Sequence, residues 1–103
     1  MSTFRPPQSF ATRLRGEEAD AALRHEIVEE QAAALGRMGR KVEAALAALR
    51  THEGDGRAEA LRAAADAVWS FLVQREILGL RDRAAIVAHY DIPREVMARL
   101  GAR

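Results

Sequence analysis

The sequence predicts an all-α fold: a long two-helix hairpin followed by two short C-terminal helices. Three observations carry that expectation. Twenty-two of the 103 residues are alanine, the strongest helix former and a poor core filler. The β-branched and aromatic residues that strands prefer are few, and nowhere do they alternate cleanly with polar ones. Apolar residues recur instead at helical spacing in two long stretches, separated by a corner rich in glycine.

Residues 1–16 read as a flexible or docked N-terminal arm, set apart from a single helical domain over 17–103. Pro6-Pro7 blocks a helix, Arg5, Arg13 and Arg15 are unopposed by acid, and Gly16 closes the segment. Its sizeable apolar groups are Phe4, Phe10 and Leu14. Phe10 and Leu14 share a helical face, which suits a short docked turn.

The first helix is expected over 17–50. Val28, Leu35, Val42 and Leu49 fall seven apart, with Gln31, Met38 and Ala45 three residues after the first three. That spacing is an a/d-like seam over about three heptads. Leu23, Ile27 and Leu46 widen it. Gly36 and Gly39 interrupt the pattern at about 1 kcal/mol each relative to alanine. The heptad phase is the same on either side of them, so one continuous helix is expected. The glycines then either kink it or let another backbone approach.

Thr51-His52-Glu53-Gly54-Asp55-Gly56 is turn chemistry. A second helix follows from about Arg57 to Leu78, with Gly79 just past its end. Its second half, Val68-Trp69-Ser70-Phe71-Leu72-Val73, is apolar around most of its circumference, the signature of a helix buried on every side. One partner helix in so small a chain cannot bury that much. Asp82 is placed to N-cap a third helix ending near Tyr90, and Pro93 to open a fourth that stops at Gly101.

Beside these patterns, the run from Glu26 through Leu49 and a downstream set of residues carry a resemblance. The set is Ala67-Val68-Trp69, Gln74-Arg75-Glu76, Tyr90-x-Ile92-Pro93-x-Glu95-Val96 and Arg99-Leu100-Gly101. Together they resemble a family of small all-helical bacterial proteins of unknown function. The resemblance spans most of the chain and implies a soluble bacterial protein. It brings no activity, cofactor or catalytic residue with it.

The residues themselves carry little catalytic chemistry. His25-Glu26-Ile27-Val28-Glu29 misses the zinc-protease helix, because Glu29 stands where the second imidazole belongs. No histidine follows a glutamate by three, as di-iron bundles require. Ser70 has no elbow motif around it, and there is no cysteine to act as nucleophile or ligand. Arg75 beside Glu76 reads as an exposed pair on a helix flank. No catalytic residue, cofactor or metal is expected, and an enzyme would need a site formed between subunits.

The segment 82–101 is loosely similar to a helix-turn-helix, with Ile86, Tyr90, Ile92, Met97 and Leu100 where that motif buries apolar groups. It departs from the pattern in having Asp91 rather than glycine at the turn and Val87 where a small residue is usual. In that alternative Arg94 and Arg99 would contact nucleic acid. A net charge of +1 argues against a dedicated nucleic-acid binder.

Charge along the first helix is segregated. Glu17, Glu18, Asp20, Glu26, Glu29 and Glu30 crowd its first half, and Arg37, Arg40, Lys41 and Arg50 its second. Part of this matches the helix macrodipole. Two copies laid antiparallel would also set acid against base. The expectation is therefore a homo-oligomer, a dimer with antiparallel long helices crossing near Gly36 and Gly39. Its interface would use Val28, Leu35, Met38, Val42, Leu49, Trp69, Phe71 and Val73. With no membrane-length apolar run and no signal-like N-terminus, a cytoplasmic protein-interaction or structural module is expected.

Overall fold

The computed structural model describes residues 8–102, of which Gln8 is described in its backbone alone. Helix α1 spans Gln8–Thr51, α2 Arg57–Ile77, α3 Arg83–Tyr90 and α4 Arg94–Met97, and no strand occurs among the described residues. The expected two long and two short helices are all present. By its contacts the chain divides into two compact units, Met1–Ala33 and Ala34–Arg103.

The helix begins earlier than the sequence reading placed it. Residues 8–16 belong to α1, and Gly16 lies inside the helix rather than closing an arm. Its cost of about 1 kcal/mol is outweighed by the good helix formers on both sides, Arg13, Leu14, Arg15, Glu17, Glu18 and Ala19. Phe10 and Leu14 therefore sit on a helix, whereas Phe4 and Pro6-Pro7 lie outside the described residues. The helix runs without interruption through Gly36 and Gly39, as the constant heptad phase requires.

In the unit 34–103 a single core forms. Val42, Leu46 and Leu49 of α1 meet Ala60, Leu61, Ala64, Ala65, Val68, Phe71 and Leu72 of α2, and Ile86, Ile92 and Val96 close the end. Alanine on α2 leaves Leu46 and Val42 almost no exposed surface, at 1% and 0%. Burying a side chain of that size contributes about 1.5–3 kcal/mol.

The turns explain the topology. At the end of α2 the Leu80 amide donates to the Arg75 carbonyl (2.8 Å) and the Gly79 amide to the Glu76 carbonyl (3.0 Å). Gly79 takes a φ of +86°, the left-handed conformation such a helix end requires. Two ion pairs staple the loop that follows: Arg75 Nη2 to Asp82 Oδ1 at 2.7 Å, and Arg83 Nη2 to Glu76 Oε1 at 2.8 Å. Arg75 and Glu76 thus have separate partners instead of pairing with each other. Asp82 does precede α3, but its carboxylate is held by Arg75 and makes no side-chain cap.

Helix α3 ends in the same way at Asp91, whose φ is +51°. The Ile92 amide donates to the Val87 carbonyl at 3.0 Å. Aspartate fills the position where a glycine is usual, because a short polar side chain tolerates the left-handed region. Arg50, at the end of α1, donates through Nη2 to the Asp91 carbonyl at 3.0 Å and secures this turn. Helix α4 stops at Met97, and the backbone continues as turns to Gly101, so the fourth helix is one turn long.

Candidate functional site

The glycine of α1 that matters is filled from within the chain. A Cβ built on Gly39 would lie 2.6 Å from the Tyr90 hydroxyl and 3.7 Å from Phe71 Cζ. Tyr90 packs edge-on against Phe71, with centroids 5.6 Å apart and planes at 85°. The Arg75 guanidinium lies 5.6 Å from the Phe71 centroid. The result is a short stack of helix backbone, phenol, phenyl and guanidinium that joins α1, α3 and α2 in this unit. Close approach at Gly39 was expected, and the group that approaches is a phenol of α3 rather than a second copy's backbone.

This changes the standing of the expected interface. Val42, Leu49 and Phe71 are buried in one chain's own core, and in this fold they are not available to a neighbour. Leu35 and Met38 are half-buried against the same core. Val73 is half-buried on α2. Trp69 is 40% exposed, and its Nε1 lies 3.2 Å from where a Cβ on Gly101 would stand, so the C-terminal turn packs on the indole. The apolar run of α2 is thus largely, though not wholly, absorbed by α1 and the two short helices. Val28 is the most exposed of the eight, at 61%.

Val28 has company. Phe10, Leu14, Leu23 and Ile27 are also exposed, between 43% and 55%. All five belong to residues 8–33 of α1, where no described residue is buried. Val28 and Leu14 share a heptad position and Phe10 stands four residues before Leu14, so these three lie on one face; Ile27 flanks that face, and Leu23 points to the opposite side of the helix. The sequence signal for this surface was the continuation of the seam upstream of Val28, hidden by reading Gly16 as a boundary. Glu17, Asp20 and Arg24 interleave with these side chains, all exposed.

The nucleic-acid alternative finds little support in the geometry. Arg94 and Arg99 are exposed, but α4 is a single turn, too short to lie along a groove. Glu95, between them, is tied to Arg57 of α2 through both carboxylate oxygens, one contact measuring 3.2 Å. Val96, fully buried, pins α4 to α2. The Arg57 guanidinium holds the Glu95 carboxyl below the usual carboxylate range, chiefly by hydrogen bonding. Arg75 does the same to Asp82, with a smaller contribution from Asp82's own amide.

Two open depressions mark the exposed side of α2. One, of about 740 Å³, is lined by Glu59, Arg62, Ala63, Asp66, Arg99 and Ala102. The other, of about 340 Å³, is lined by Met38, Lys41, Asp66, Ala67 and Ser70. Their charges are mixed and solvated, and Arg62 is paired with Glu59. His25 Nε2 lies 2.7 Å from Glu29 Oε1 on an exposed helix face. Among the described residues no three His, Cys, Asp or Glu side chains cluster as a metal site, and no helix is long and apolar enough to cross a membrane.

A family model matches residues 3–103, nearly the full chain. The chain belongs to a family of unknown function, DUF6665. No curated protein and no solved structure matches it. Membership therefore agrees with the resemblance read from the sequence and adds no activity to it.

Proposed function

We propose that this protein is a non-enzymatic helical module that works by self-association. The observation that carries this reading is the exposed apolar surface of residues 8–33. Five large apolar side chains there are 43–61% exposed on one stretch of helix. Scattered apolar residues are ordinary on protein surfaces, but Phe10, Leu14 and Val28 share one helix face with Ile27 on its flank, and a set repeated along one face marks a contact site. The unit 34–103 has a complete core, so its folding does not call for those side chains. Their retention is explained by a partner, and a second copy supplies a helix of matching character at no added cost in components.

The experiment is mass in solution by light scattering after size exclusion, at concentrations from low to high micromolar. Twice the chain mass of 11.3 kDa, or a higher multiple, is expected. A single-chain mass at every concentration would overturn the proposal.

A further inference from the structure

The unit 8–33 carries its charges in a pattern that selects both the partner and the direction of pairing. We infer that the surface presented by Phe10, Leu14, Ile27 and Val28 pairs with the same surface of a second copy, antiparallel, crossing near Asp20 and Ala21. The inference rests on the self-association proposed above and replaces the crossing at Gly36 and Gly39, since Gly39 is already filled by Tyr90.

The apolar side chains fall into two groups, Phe10 with Leu14 and Leu23 with Ile27 and Val28, and between them the exposed side chains are small or charged. An antiparallel pair centred between the groups covers Phe10, Leu14, Ile27 and Val28 and leaves Leu23 on the far side of the helix; it sets Leu14 of each copy level with Ile27 of the other. The same register sets Glu17 opposite Arg24, twice by symmetry. A parallel pair in register would instead face Glu17 with Glu17 and Arg24 with Arg24, like charges at a contact. The segment is about 39 Å long at 1.5 Å per residue, and a contact strip about 10 Å wide gives roughly 400 Å² per copy. That is below the ~800 Å² per partner of a standard interface, so the pair should be reversible and concentration-dependent.

Charge exchange tests the direction directly. Glu17→Arg alone and Arg24→Glu alone each place like charges across an antiparallel contact. Each should raise the dimer dissociation constant by about tenfold or more, and the double exchange should restore it. In a parallel pair like still faces like after either exchange, so no rescue by the double variant would overturn the antiparallel arrangement. The chain has no cysteine, which makes a second readout clean. A mixture of Glu17→Cys and Arg24→Cys chains should oxidise to the mixed disulfide. Homodisulfides in its place would overturn the register.

The surface itself is tested by Leu14→Asp with Ile27→Asp, which should give monomers whose unit 34–103 keeps its near-ultraviolet tryptophan signal. If that variant self-associates as tightly as the parent, the surface is wrong while self-association survives. A parent protein that is itself monomeric instead removes the reading on which this inference rests.

Discussion

One helix, α1, holds two stretches of similar pattern and opposite fate. Residues 34–51 bury Val42, Leu46 and Leu49 at no more than 3% exposure, whereas residues 8–33 leave Leu14, Ile27 and Val28 at 43–61%. Leu14, Val28, Val42 and Leu49 all occupy the same heptad position. Periodicity therefore announces a contact face without saying what covers it. In the first stretch the cover is α2, brought back by the corner at 52–56. In the second the chain supplies none among its described residues.

The comparison breaks if the two stretches respond alike to truncation. Leu46→Ala should cost about 2–5 kcal/mol of unfolding free energy, read from urea denaturation, because it opens a cavity in a core with almost no exposed surface. Ile27→Ala in dilute, monomeric protein should change the same quantity by less than about 0.5 kcal/mol. Equal losses would mean that residues 8–33 pack inside the fold.

The glycines of the two stretches sharpen it further. Gly39→Ala gains about 1 kcal/mol of helix propensity but must displace the Tyr90 hydroxyl, a strain of about 1–3 kcal/mol, so it should leave stability unchanged or reduced. Adding Tyr90→Phe should recover part of that loss. Gly16→Ala meets nothing within 4 Å and should stabilise its helix by about 1 kcal/mol, seen as a higher helical signal by circular dichroism.

The smallest effect concerns the ion pairs of the unit 34–103. The folded pKa values of Asp82 and Glu95 lie below the ordinary carboxylate range. Their stabilisation is therefore present above that range and is lost as pH falls through the lowered values. The urea midpoint should decline on acidification, and Glu95→Gln should make the decline shallower. Both groups are solvent-exposed, so the change is modest.

Much of the fold was legible. Alanine content, the seam at 28–49 and the glycines at 54, 56 and 79 placed both long helices and the corner between them. Tyr90, Asp91 and Pro93 bounded α3 and α4 to within a few residues. The surface was less legible. Val42, Leu49 and Phe71 were assigned to an interface because the apolar run of α2 exceeds what one helix can cover. The missing cover comes from α3, α4 and the turn at Gly101, short elements whose packing is non-local. Phe10 and Leu14 were assigned to an arm because glycine reads as a terminator, although neighbours of high propensity carried the helix through it.

The sequence by itself determined secondary structure, because helix propensity, heptad spacing and turn residues are local properties of a few neighbouring side chains. It also determined that the chain has more apolar helix surface than one hairpin needs. Only the tertiary structure decided which part of that surface is surplus. Burial depends on contacts between residues far apart in the chain, such as Tyr90 against Gly39 and Glu95 against Arg57, and no local pattern encodes them. Those contacts assign Phe71 to the core and leave Val28 outside it.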